Sequence, residues 1–106
     1  MDIKITQKND WIYVVVHGRL DGFTFELLAH RLRIIFQMGY KKMALNLGAV
    51  DYINIASIRL VVSIAKKLSL SGGQLKIVGQ TNEATQLIEF FGKKFVKFED
   101  CFHEEK

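Results

Sequence analysis

The feature that most constrains the fold is a change of hydrophobic period that recurs along the chain. Short β-branched and aromatic runs alternate with three longer stretches in which apolar residues return at three- and four-residue spacing. Trp11-Ile12-Tyr13-Val14-Val15-Val16, Met43-Ala44-Leu45-Asn46-Leu47 and Gln74-Leu75-Lys76-Ile77-Val78 read as strands. Phe25, Leu28, Leu32 and Ile35 make one helical stripe. Ile58, Val61, Val62, Ala65 and Leu68 make a second, with Arg59, Ser63, Lys66 and Lys67 opposite, and Ala84, Leu87, Ile88 and Phe91 make a third. Parallel strands need crossovers of a dozen or more residues, which helices of this length supply.

Ahead of the first helix, Ile3-Lys4-Ile5-Thr6 alternates apolar and polar, and Lys8-Asn9-Asp10 is a turn, so the chain should begin with an antiparallel hairpin. Phe95-Val96-Lys97-Phe98 reads as a last short strand. The expected order is β-β-α-β-α-β-α-β: one α/β domain over residues 1–106, a mixed sheet with its helices mainly on one face. There is no proline, so glycine and small polar residues provide the punctuation. Asp21 or Thr24 can cap the first helix, Asn54 the second, and Thr81 or Asn82 the third. Gly39, Ser71-Gly72-Gly73 and Gly92 mark the ends, and the polar tail 99–106 is expected to fray or form one helical turn.

Composition narrows the function. With 49% hydrophobic and 25% charged residues, the chain can build a core without a disulfide or metal staple. A single cysteine, Cys101, cannot close an internal disulfide, which favours a reducing, cytoplasmic setting. Met1-Asp2-Ile3-Lys4 does not open a leader pattern, and no apolar run approaches the roughly 18 residues of a membrane span. The net charge of +4 is spread over every segment without a dense aromatic-interleaved patch, so no specific nucleic-acid partner is expected.

Catalytic chemistry is hard to find. His17, His30 and His103 fall in different segments, and Cys101 has no partner at metal-ligand spacing. Asp51, Glu83, Glu89 and Glu99 stand in no acid–base motif, and Ser71-Gly72-Gly73 lacks the lysine of a phosphate cradle. No catalytic residue, metal or cofactor is expected.

The segment 51–60 is different. A buried strand ends near Leu47, a small loop follows, and a helix starts at about Ala56, the kind of junction where open α/β sheets present functional groups. Its helix start offers free backbone N–H groups and a positive dipole end.

Four pieces in order resemble the STAS domain, the family of sulphate-transporter C-terminal domains and bacterial anti-sigma factor antagonists. Gly18-Arg19-Leu20-Asp21 is similar to the family's Gly-x-Leu-Asp, and Asn46-Leu47-Gly48-Ala49-Val50-Asp51-Tyr52-Ile53 to its Asp-Leu-Ser-x-Val-x-Tyr-Ile. Ser71-Gly72-Gly73-Gln74-Leu75 resembles its Gly-Gly-x-Leu, and residues 81–92 its closing helix. The resemblance implies partner switching. Such antagonists bind an anti-sigma factor that is also a serine kinase, and phosphorylation within an Asp-Ser-Ser-Gly motif at this helix start blocks the binding.

The chain departs from that motif throughout. Asn54 stands for the aspartate, Ile55 for the first serine, Ala56 for the usual acceptor and Ser57 for the glycine. Either the site is not phosphorylated, or Ser57 has taken the role. The residues expected to meet a partner are Asp21, Asn54, Ile55, Ala56, Ser57, Arg59, Leu60 and Ile64, the last two as part of an apolar patch or else packed on a neighbouring helix. Two other functions fit less directly: an accessory subunit bound to the ATPase of a lipid-transport ABC system, and a small-ligand or nucleotide-binding module.

Overall fold

The hairpin forms where the alternation places it. In the computed structural model, which describes residues 2–92 and 94–98, strand β1 (Asp2–Lys8) pairs antiparallel with β2 (Trp11–Leu20). Asn9 turns the chain with a φ of 59°, a left-handed conformation that asparagine tolerates.

Then come α1 (Thr24–Gln37), β3 (Lys42–Ile53), α2 (Ile55–Leu70), β4 (Gln74–Val78), α3 (Glu83–Gly92) and β5 (Val96–Phe98). The strands lie in sequence order, β1-β2-β3-β4-β5, with every pair after the hairpin parallel. Each crossover moves one strand onward, and successive crossovers of one hand put all three helices on one face of this mixed sheet.

The burial pattern agrees. Ile12, Val14 and Val16 of β2 are buried under the helices, whereas Val15 and His17 on the other face are exposed. The core joins these residues to Leu28 and Leu32 of α1, Leu45 of β3, Val61 and Leu68 of α2, Ile77 of β4 and Ile88 of α3.

Two expectations change, and one open alternative closes. Strand β3 does not end at Leu47 but runs to Ile53, because β2 also continues to Leu20 and the two stay paired through register shifts at Val15/His17 and Gly18/Arg19. Such bulges bend the pair and re-aim its side chains. In α3, Phe91 points outward with 55% of its surface exposed, while Ala84 and Ile88 carry the buried stripe. In α2, Leu60 and Ile64 are buried, at 9% and 3% exposure, on the side of the helix turned from α3, where α1 packs. Cys101, His103, Glu99 and the rest of the tail lie outside the described residues.

Candidate functional site

Backbone hydrogen bonds bring two sequence-distant junctions together. The end of β2 pairs with the end of β3, Leu20 against Ile53, and the N–H of Asn54 donates to the carbonyl of Leu20 at 3.0 Å. The turn into α1 and the start of α2 therefore sit side by side.

Each junction is closed by a short polar side chain. Asp21 Oδ1 accepts the backbone N–H groups of Phe23 (3.0 Å) and Thr24 (3.2 Å), and Thr24 Oγ1 accepts the N–H of Asp21 at 2.9 Å. The N–H of Thr24 foremost, with that of Phe23, the Thr24 hydroxyl and the Arg19 guanidinium, holds the Asp21 carboxyl below its usual pKa, against a smaller opposing effect of burial. Asn54, in extended conformation, is the N-cap of α2, and its Oδ1 accepts the N–H of Ser57 at 2.9 Å.

The first turn of α2 divides sharply. Ile55 is 53% exposed and Ala56 is exposed, but Ser57 is fully buried, and its hydroxyl finds no hydrogen-bond partner among the described residues. This turn carries no acidic residue, and the exposed Arg59 follows one turn on. Beside it, Tyr52 is 45% exposed, with the Arg19 guanidinium 4.5 Å from its ring centroid and 3.7 Å from the Asp21 carboxylate.

From Ile55 an apolar groove of about 600 Å³ runs between α2 and α3, lined by Ile58, Val62 and Phe91 and edged by Arg59, Ser63 and Lys66. At its far end Gly92 lies against Val62: a Cβ there would stand 2.7 Å from a Val62 methyl. The glycine lets α3 close on α2.

Of the residues expected to meet a partner, Ile55, Ala56 and Arg59 are exposed on the first turns of α2, with the partly buried Asp21 and Asn54 closing the two turns beside them. Ser57, Leu60 and Ile64 turn into the protein instead. Leu60 and Ile64 fall on the flank of α2 facing α1, and Ser57 one turn before them joins that buried side. Sequence reasoning missed Arg19 as the partner of Tyr52, and it missed the groove flank formed by Val62 and Phe91. Tyr52 stood in the recognisable motif run, but its exposure depends on the continuation of β3, which the glycine at position 48 conceals.

The third junction is pinned rather than open. Asn82 Nδ2 donates to the carbonyls of Leu47 (2.8 Å) and Val50 (3.1 Å), while Asn82 and Thr85 exchange backbone-to-side-chain bonds of 2.9 Å at the start of α3. The irregular part of β3 thus has its carbonyls satisfied from the next helix. Among the described residues, no three of His, Cys, Asp and Glu come together to hold a metal, and no helix is long and apolar enough to cross a membrane.

The sequence profile of the STAS domain matches residues 2–104, and the chain belongs to that family. It is 29% identical over 94 residues to the anti-sigma-B factor antagonist of Staphylococcus aureus, covering 89% of this chain and 87% of that protein. A putative anti-sigma factor antagonist from Thermotoga maritima superimposes with a TM-score of 0.78 at 22% identity, over 97% of this chain and 90% of that one. The phosphorylated form of the Bacillus cell fate determinant SpoIIAA gives a TM-score of 0.73 at 14% identity, over 98% and 95%. The chain is therefore an anti-sigma factor antagonist-like STAS domain, a regulatory binding protein of the kind that acts through protein partners.

Proposed function

We propose that this domain binds an anti-sigma factor with serine-kinase character through the exposed first turn of α2, and that its binding is not switched off by phosphorylation of that turn. The observation that carries the reading is the contrast between Ile55 and Ser57. Ile55 is half exposed where the family resemblance puts a polar serine, and the one hydroxyl in the turn is buried.

A partner would seat on Ile55, with Tyr52, Ala56 and the groove toward Phe91 extending the apolar contact. Central aromatic and aliphatic anchors of this kind carry most of the energy of an interface. Arg19 and Arg59 flank them and suit a partner surface rich in carboxylates. Asn54 and Asp21 act beneath this face by fixing the two turns.

A kinase needs its target hydroxyl at the surface in an extended or pliable segment. The Ser57 hydroxyl is enclosed and its backbone N–H is held by Asn54, so phosphorylation there requires the first turn to unwind. The reading is tested by isothermal titration against a kinase-type anti-sigma factor. Ile55→Asp is expected to weaken binding at least about tenfold, since it places a charge at the centre of a desolvated contact. Equal binding by wild type and variant would count against the site. The absence of an exposed serine in this turn also suits an ABC-system ATPase as partner, and capture of that ATPase in place of the sigma regulator would decide for it.

A further inference from the structure

We propose that the helix-free face of the sheet is a binding surface for single-stranded nucleic acid, separate from the α2 face. The register collects on it what the sequence disperses. Across the strands one row reads Lys8, Trp11, Lys42, Gln74, and the next reads Thr6, Tyr13, Ala44, Lys76, Lys97. Paired residues in neighbouring strands share a face, so all these side chains stand opposite the buried Ile12, Val14 and Leu75.

Two aromatic rings on β2 are thus bracketed by cations on both sides. The Trp11 and Tyr13 rings lie 6.5 Å apart, tilted by 38°, and neither residue is fully buried. Lys76 Nζ lies 4.1 Å and Lys42 Nζ 6.0 Å from the Trp11 ring centroid, each within cation–π range. Ala44 between them is small enough to leave the platform level. No helix of the described residues covers this face.

Charge complementarity selects the occupant. Among the described residues whose register places them on this face, Lys4, Lys8, Lys42, Lys76 and Lys97 stand against one carboxylate, Asp2. Asp10 in the hairpin turn is engaged by Lys42 at 3.2 Å. Stacking rings set among lysines on an open sheet match unpaired bases and their phosphates, because every base offers a π-face and duplex stacking withholds it. From β1 to β5 the surface is about 19 Å wide at the usual strand spacing, room for a short stretch of strand.

Trp11 is the only tryptophan, so its fluorescence reports this face directly. The test titrates the full chain with a single-stranded oligothymidylate, the same length of DNA duplex, inorganic polyphosphate and an acidic polypeptide, at low and at physiological salt. Quenching of Trp11 by the single strand is expected, with affinity falling steeply as salt rises. The Lys42→Ala/Lys76→Ala variant should bind about tenfold more weakly, while Lys66→Ala/Lys67→Ala, which removes equal charge from α2, should not change binding. Circular dichroism confirms that each variant is folded. Tyr13→Ala provides a second, uncharged probe with the same expected loss. The proposal is overturned if the single strand does not bind. Binding to polyphosphate or acidic polypeptide as tightly as to the single strand, or equal loss in the two lysine variants, also overturns it.

Discussion

Asn54 accepts the backbone N–H of Ser57 at 2.9 Å, while the hydroxyl of Ser57 lies buried without a partner. The same turn of α2 is therefore well capped through its backbone and poorly satisfied through its side chain. A buried, unpaired hydroxyl costs on the order of 1–3 kcal/mol, and an N-cap contributes about 1 kcal/mol. Ser57→Ala should accordingly raise stability by about 1 kcal/mol and Asn54→Ala should lower it by a similar amount, read from urea midpoints at constant slope. Ser57→Glu forces a charge into the core and should cost about 3 kcal/mol or more. A Ser57→Glu protein as stable as wild type would show that position 57 reaches solvent.

Neighbouring apolar residues of α2 should respond in opposite ways. Ile55 is half exposed and Leu60 is 9% exposed. Ile55→Ala should cost less than about 1 kcal/mol of stability, whereas Leu60→Ala should cost about 2–4 kcal/mol by emptying a core position. Thermal and urea unfolding of both variants separate an exposed residue from a packing residue on one helix.

Asn82 ties α3 to the irregular stretch of β3 through the carbonyls of Leu47 and Val50. Asn82→Leu removes both donors and the cap received by Thr85, and should destabilise by about 2–3 kcal/mol. Amide hydrogen exchange should then rise across residues 47–53 and the first turn of α3, with the β1–β2 hairpin unaffected.

Asp21 gives the start of α1 a pH signature. Its folded pKa lies below the usual 3.8, mainly through the N–H of Thr24, so the stabilisation is present above 3.8 and is lost as the pH falls through the folded value. Asp21→Asn should be less stable than wild type at neutral pH, and the difference should shrink steadily below pH 3.8. Urea midpoints measured across that range give the comparison.

Much of this was legible in the sequence because it rests on local periodicity. The order of eight elements, the three buried helical stripes and the Asn54 cap all follow from apolar spacing and short polar side chains. What failed depended on contacts between distant segments. Gly18 and Gly48 look like loop residues, yet both lie within paired strands: Gly18 takes a φ of 117° at the bulge, and Gly48 leaves room for the Gln80 backbone, 3.0 Å from where a Cβ would stand. Phe91 fits the helical stripe of α3 but stands on the flank of α3 facing the open groove beside α2, and so it stays half exposed with Val62 as a fellow lining residue. Leu60 and Ile64 could not be assigned from spacing because their burial depends on α1 packing on that flank of α2. The lysines of the bare sheet face are far apart in sequence, and only the strand register brings them around Trp11 and Tyr13.

The first turn of α2 is proposed to bind its partner without a phosphorylation switch. Isothermal titration of wild type with a kinase-type anti-sigma factor, before and after incubation with ATP, followed by mass spectrometry of the turn, tests it most directly. The same affinity in both conditions and an unmodified Ser57 are expected. Loss of binding after ATP, with a phosphate on Ser57, would contradict it.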